Sequence, residues 1–381
     1  MILDRVRRGA GRALSPACLI ALLLAQSPGA QAAILPLPGN LAEVANRAAA
    51  GVVEVFAQRT EVRRSARPGT PPTRTHTRVG SGVAVEESLV LTTASVVEGA
   101  ERVFVRTSNG LQVEAEPVGI DPVFNVALLR VPEARLPWLR RAERPALLGD
   151  RVIAVATSYG MPSTQSVGTV EFVYKEPRTS LLQLTNIVYP GNSGGAVVNP
   201  QGQLVGLVLG DLGAPDLGFS PSGEERRPSG MSFMMPMEDV WPVYERLKRD
   251  GRVPHGHLGV STRAETVRSD VDQAEIGLGA RVESVRPGGP ADRVGLKRGD
   301  LIVAFENERV EFPEQLARWV TETPPGTTVE LVWVHGEVRR NGRVSLGEAP
   351  DTLAGRTPIG APRPPAAAVP EPAASPGAAR R

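Results

Sequence analysis

The sequence has 381 residues, 41% of them hydrophobic and 22% charged, with a formal net charge of +2. This balance suits folded domains in water, and the length suits two of them with tails. Aromatic residues make up only 4%, which argues against a base-stacking nucleic-acid platform.

The chain opens with a basic stretch, Arg5, Arg7, Arg8 and Arg12. An apolar run from Ala17 to Ala25 follows, too short to span a bilayer, and Ala30-Gln31-Ala32 offers a small-residue cleavage site. The pattern predicts a signal peptide over residues 1–32 and a periplasmic or secreted protein. Left uncleaved, the segment would anchor the chain to a membrane. Four arginines and one aspartate leave with it, taking the formal net charge from +2 to −1. The apparent basicity is therefore no argument for nucleic acid. Cys18, the single cysteine, leaves too, so the mature chain has no disulfide.

Leu41 to Ala50 reads as a short helix with Asn40 as N-cap, and Val52 to Phe56 as the first strand. Arg59 to Thr77 is rich in Pro, Arg and Thr without apolar periodicity, which predicts an exposed loop. From Val79 to Met235, short β-branched runs alternate with Gly and Pro turns, the pattern of an all-β barrel or sandwich. Asp211 to Pro228 is a second polar insertion. Met237 to Arg249 carries Val240, Val243 and Leu247 at helical spacing, with Gly251 as the stop. Pro242 is tolerated only in a first turn, so the helix is expected to start near Asp239.

The most informative run is Pro190-Gly191-Asn192-Ser193-Gly194-Gly195. Glycines beside a serine let the backbone turn sharply, so that main-chain N–H groups face an oxyanion next to the hydroxyl. Gly191, Asn192 and Ser193 are the candidate oxyanion donors and Ser193 the candidate nucleophile. Upstream lie Gly80-Ser81-Gly82, the strand Val90-Leu91-Thr92-Thr93-Ala94-Ser95-Val96-Val97, and Gly119-Ile120-Asp121-Pro122-Val123-Phe124-Asn125-Val126-Ala127-Leu128-Leu129. Leu148 to Val155 and Ser229 to Pro236 complete the set. In this order the motifs resemble those of the HtrA/Deg family. The resemblance implies a mostly β fold: a trypsin-like double six-stranded β-barrel, over roughly residues 52–140 and 141–237, followed by a PDZ domain.

The resemblance also marks what has changed. The family's catalytic histidine ends the strand after Gly-Ser-Gly, and here that position is Ser95. Its catalytic aspartate falls at Asn125, while Asp121 matches an earlier, non-catalytic acid. Thr185 stands where the family carries an aspartate ahead of the nucleophile loop. A serine hydroxyl needs a base within hydrogen-bond reach and a third group to orient that base. Ser95 has no useful basicity, and Asn125 cannot stabilise an imidazolium. His76, in Thr75-His76-Thr77, lies at the wrong end of its strand to replace the histidine, and Lys175 reads as a turn residue. His255, His257 and His335 belong to the linker and the second domain.

Gly256-His257-Leu258-Gly259-Val260 resembles the carboxylate-binding loop of a bacterial PDZ domain, and Gly289 to Ile302 is its most specific stretch. Ala280 to Val285 and Val329 to Val334 read as strands, Phe312 to Thr323 as the helix flanking the groove. His257, Leu258, Gly259 and Val260 are the candidate peptide-binding residues: amides hold a C-terminal carboxylate, and the peptide adds as a strand. A packing module that binds no free C-terminus is the competing reading. The expected domains are a signal peptide at 1–32, a peptidase domain at 33–250, a PDZ domain at 251–348 and a Pro/Ala-rich tail at 349–381 that buries too little surface to order itself.

Two functions from different classes follow. One is a binding protein, an adaptor, chaperone-like holder or regulator that has lost proteolysis. The other is a serine endopeptidase in protein quality control using Ser193. Expected partners are protein or peptide segments, C-terminal ones included. The resemblance implies a homo-trimer, or a mixed oligomer with an active paralogue. No metal cluster, phosphate loop or cofactor fingerprint stands out, so no cofactor is expected.

Overall fold

The structure, a computed structural model, describes residues 40–62, 73–158, 161–175, 179–210, 232–268 and 275–350. The signal segment at 1–32, the insertion at 211–228 and the tail from 351 onward lie outside the described residues.

Helix α1 (Leu41–Ala49) buries Val44, Ala45 and Ala48 on one face. Six strands then close the first barrel: β1 (Val52–Val62), β2 (Thr73–Glu86), β3 (Leu89–Thr92), β4 (Arg102–Arg106), β5 (Gln112–Asp121) and β6 (Val126–Arg130), in the order β1-β2-β3-β6-β5-β4. A short helix, α2 (Ala94–Val97), follows β3. Six more strands close the second barrel: β7 (Arg151–Ser158), β8 (Met161–Lys175), β9 (Ser180–Leu184), β10 (Ala196–Val198), β11 (Leu204–Gly210) and β12 (Ser232–Pro236). The double barrel expected from the resemblance is therefore the fold. Each barrel fills its own interior with β-branched and leucine side chains. A third cluster joins them, with Val83, Leu91, Ile153, Val155 and Leu207 packed against the helix that follows β12.

That helix, α3 (Met237–Asp250), starts two residues earlier than Pro242 suggests. Pro242 withholds one intrahelical bond. Burial of Met237, Val240, Val243, Tyr244 and Leu247 along one stripe carries the helix through it, because tertiary packing outweighs propensity. Gly251 ends α3 in the left-handed region, φ 67°, its N–H donating to Leu247 O at 2.9 Å.

The expected loop at 59–77 is corrected in part. β1 runs on to Val62 and β2 begins at Thr73, and they pair residue for residue, Arg59 opposite His76 and Val62 opposite Thr73. The ladder continues beyond the apolar part of the strands, carried by β-branched Thr75 and Thr77 on alternate positions. Residues 63–72 lie outside the described residues.

The second domain is a sheet of order β14-β15-β16-β18-β19, formed by β14 (Val260–Arg268), β15 (Glu275–Val285), β16 (Leu301–Phe305), β18 (Thr328–His335) and β19 (Val338–Ser345). β15 starts five residues before the expected Ala280. The short β17 (Glu308–Arg309) pairs with β16, and β13 (Gly256–His257) pairs with β20 (Gly347–Glu348). Helix α4 (Pro290–Arg293) and helix α5 (Pro313–Glu322) pack on the sheet. In α5, Leu316, Trp319 and Val320 join a core with Phe305, Leu331 and Trp333. Phe312 and Thr323, expected inside this helix, are its caps. Among the described residues no helix is long and apolar enough to cross a membrane.

Candidate functional site

The nucleophile turn lies between β9 and β10, wedged against the first barrel. Gly191 and Gly194 take φ of 95° and 86°, values that a residue with a Cβ rarely adopts. A Cβ on Gly194 would lie 2.2 Å from Ser81 O and 2.4 Å from Thr92 Oγ1, so only glycine fits. Ser81 locks the turn from the other side. Its N–H donates to Ser193 O at 2.8 Å, its hydroxyl to Gly191 O at 2.7 Å, and it accepts Thr157 N at 2.8 Å.

Asn192 is 2% exposed and fully engaged. Its Oδ1 accepts Tyr189 N at 2.7 Å, and its Nδ2 donates to Thr157 O at 2.8 Å and Thr164 Oγ1 at 3.0 Å. Its own N–H donates to Tyr189 O at 3.0 Å. Of the three amides expected as oxyanion donors, Asn192 is therefore spent inside the turn. The amides of Gly191 and Ser193 have no acceptor among the described residues.

Ser193 is half-buried, and its hydroxyl donates to Leu209 O at 3.1 Å. A main-chain carbonyl holds that proton in a hydrogen bond but cannot remove it. The segment that should supply the base is close by: a Cβ on Gly80 would touch both Val96 and Ser193 O. At its centre stands Ser95, exposed, the second residue of α2. Its hydroxyl donates to Thr93 Oγ1 at 3.2 Å, and the Arg78 guanidinium donates to its carbonyl.

Asn125 sits in the left-handed region, φ 51°, which asparagine tolerates better than most residues. Its Oδ1 accepts Ser95 N at 2.9 Å and its carbonyl accepts Ala94 N at 3.2 Å. The side chain that would orient an imidazole instead caps the start of α2. The fold thus brings Ser193, Ser95 and Asn125 into one place, with no ionisable side chain among the three.

The remaining histidines are committed elsewhere. His76 is exposed on β2, four residues before Gly80, about 13 Å along an extended strand. His335 Nδ1 lies 2.6 Å from Asp300 Oδ1 in the second domain. His255 is buried against Asp121, and His257 lies in the groove. Lys175 is exposed at the end of β8, opposite Ser180.

The second site is a cavity of about 290 Å³ between β14 and α5. His257, Leu258, Gly259 and Val260 form one wall; Leu316, Ala317 and Val320 form the other. Gly259 has φ 82°. The amides of Leu258 and Gly259 have no acceptor among the described residues, whereas their carbonyls accept Ala291 N at 3.0 Å and Arg286 N at 2.8 Å. The loop thus presents donors to the cavity. β14 is the edge of its sheet, so its outer ladder is open to an added strand. Burial and the positive charge of Arg286 hold His257 below the ordinary imidazole pKa. The contacts that sequence reading missed are those of Asp121 and His255, which join the two domains. Among the described residues no cluster of His, Cys, Asp and Glu is arranged to hold a metal ion.

Comparison with known proteins agrees with this architecture. The trypsin-like peptidase domain family matches residues 80–207 and the PDZ domain family matches residues 281–334. A probable periplasmic serine endoprotease, DegP-like, of Halomonas elongata is 31% identical over 289 residues, 73% of this chain and 58% of that protein. The serine endoprotease DegS of Escherichia coli K12 is 28% identical over 286 residues, 72% of this chain and 78% of that protein. The chain thus spans 58% of the length of the DegP-like relative. Among solved structures, a serine endoprotease from Yersinia pestis superposes with a TM-score of 0.57 at 27% identity, covering 82% of this chain and all of the other.

Proposed function

Because the chain belongs to the HtrA/Deg family, we propose that it is a periplasmic protein that binds peptide or protein segments without cleaving them. Its role would be that of an adaptor, a chaperone-like holder or a regulator. The observation that carries this reading is the hydrogen bond from Ser193 to Leu209 O, with Ser95 and Asn125 at the positions of base and orienter. In serine proteases, replacing the aspartate of the triad by asparagine costs about 10⁴ in turnover. Removing the histidine costs about 10⁶. The two remaining oxyanion amides sustain roughly 10³ over water, too little for a working protease. Two features support peptide binding: the donor loop at Leu258 and Gly259, and the open edge of β14. The DegP-like relative is named a periplasmic protein, which agrees with the basic and apolar opening of this chain.

A serine endopeptidase using Ser193 is the second reading. It is favoured by the unengaged Gly191 and Ser193 amides and by the relatives being named endoproteases. The deciding experiment is digestion of unfolded casein by the purified chain and its Ser193→Ala variant, alongside binding of a peptide with an apolar C-terminal residue. The expected result is no cleavage that depends on Ser193, with peptide binding retained. Ala317→Trp, which places an indole in the groove, should weaken that binding about tenfold or more. Cleavage abolished by Ser193→Ala would establish the second reading instead. Co-purification with an active protease would point to a mixed oligomer.

A further inference from the structure

His255 stands between the two domains at 4% exposure and meets an acceptor on each side of its ring. Nδ1 lies 3.1 Å from Thr321 O, in the last turn of the groove helix α5. Nε2 lies 3.1 Å from Asp121 Oδ2, at the end of β5 in the first barrel. Asp121 is 2% exposed, and its Oδ2 is buried with no hydrogen-bond partner among the described residues, the imidazole standing at ion-pair distance as the one group placed to supply a proton. A carbonyl and a carboxylate both accept. A neutral imidazole has one N–H, so either tautomer turns a lone pair toward one of them. Both contacts are satisfied together only when the pair holds one further proton.

We infer that His255 is a proton-dependent positioning residue: with that proton it ties the groove helix to the first barrel, and without it the tie breaks. The Asp121 side is the fixed one. Its Oδ1 accepts Val123 N at 2.8 Å and Phe124 N at 3.1 Å, and the Phe124 ring packs 5.8 Å from the imidazole. Release is therefore expressed at Thr321, which lines the groove together with His255 itself. The consequence for peptide affinity rests on the peptide-binding reading above.

The surrounding charges are few. Arg246 of α3 disfavours the imidazolium. On α5 Glu322, next to Thr321 in sequence, accepts Thr179 Oγ1 at 3.3 Å, and on β20 Glu348 pairs with Arg252 at 2.6 Å. Burial lowers the His255 pKa, but the hydrogen bond and charge of Asp121 outweigh it, so the imidazole titrates above its ordinary value of 6.5. For a folded-state pKa raised in this way, the tie is fully made below the unfolded value. It is lost as pH rises through the folded one. His257, also in the groove, is shifted the opposite way, so its titration falls in a lower window.

The test is amide hydrogen exchange of the full chain at the last turn of α5, corrected for intrinsic rates, between about pH 6 and about pH 9. The amide of Thr323, bonded to Trp319 O at 3.2 Å, reports on that turn. Protection in the parent should fall about tenfold per pH step of one between the pKa of the released ring and that of the tied ring. His255→Gln should give low protection at both ends of the range. Asp121→Asn should give the opposite, since its Nδ2 can donate to the neutral ring while Oδ1 still caps Val123 and Phe124. Protection should then stay high at the alkaline end. Affinity for a labelled peptide with an apolar C-terminal residue, measured by anisotropy, should follow the same three profiles. Unchanged protection in the parent across the range overturns the inference, whatever the peptide does. Exchange that responds as expected, with no peptide bound at any pH, upholds the tie and removes the peptide-binding reading.

Discussion

The cleft and the groove are both built on main-chain amides held open by glycines. In the cleft, Gly191 and Gly194 set the turn and two amides have no acceptor among the described residues, yet the residues that the proposed reading puts in place of base and orienter are Ser95 and Asn125. In the groove, Gly259 sets the loop, the Leu258 and Gly259 amides face the cavity, and Leu316 and Val320 still supply an apolar wall. Holding a peptide needs donors and shape, and no proton transfer. Cutting one needs a base at a defined distance as well. On the proposed reading, loss of two side chains removes cleavage while leaving recognition intact.

The comparison is broken most directly by restoring the cleft. Ser95→His with Asn125→Asp puts back an imidazole beside Ser193 and a carboxylate beside the imidazole, on a backbone already held by Ser81 and Gly194. General-base action contributes typically 10²–10⁴-fold, so casein hydrolysis should rise at least about 10²-fold over the parent. It should vanish again on adding Ser193→Ala. Asp is tolerated at the left-handed φ of position 125 much as Asn is. No gain in the double variant would mean that the cleft has lost more than two side chains.

A second test compares the two sites as scaffolds. Gly194→Ala drives a Cβ to 2.2 Å from Ser81 O, a main-chain atom that cannot swing aside, with φ 86° in addition. It should cost about 3 kcal/mol or more. Gly259→Ala meets nothing closer than Arg286 Cβ at 3.5 Å, so only its positive φ counts, about 1–2 kcal/mol. Urea unfolding of both variants measures the difference. Equal costs would mean that the nucleophile turn is no more rigid than the groove loop.

How far these sites could be read from sequence follows from how local their determinants are. The nucleophile turn is announced by its own glycines, and the barrel strands by short β-branched runs between turns. The ends of the 59–77 segment are hidden because Thr, Arg and His alternate with no apolar face; they stay extended by pairing with each other, in a ladder that continues the pairing of Val52–Phe56 with Val79–Val83. The start of α3 was misplaced because the penalty of Pro242 is local, while the burial that overrides it comes from both barrels. Asn192 is expected from sequence among the oxyanion donors together with Gly191 and Ser193. Its amide instead bonds Tyr189 O, a contact set by the turn's geometry. Asp121 read as a spare acid, since nothing near it in sequence points to His255.

The last expected effect is a pH dependence at the join between the second barrel and α3. Asp239 accepts Ser180 N at 2.6 Å, yet burial outweighs that bond, and Glu238 adds repulsion, so its pKa is raised from 3.8 to about 6. Between those values the folded chain holds a proton that the unfolded chain has released, so stability falls as pH rises through the window. Above about 6 the full penalty is present, at most a few kcal/mol, since each tenfold change in proton affinity is worth roughly 1.4 kcal/mol. Asp239→Asn keeps an acceptor for Ser180 and carries no charge. It should raise the melting temperature at neutral pH and lose that advantage as the pH approaches 4. Helix α3 would then tolerate a half-buried carboxylate that the fold does not need, whereas Asp121 of the first barrel caps a turn and stands 3.1 Å from His255. An Asp239→Asn variant less stable than the parent at neutral pH would reverse that assignment and make Asp239 a structural acid.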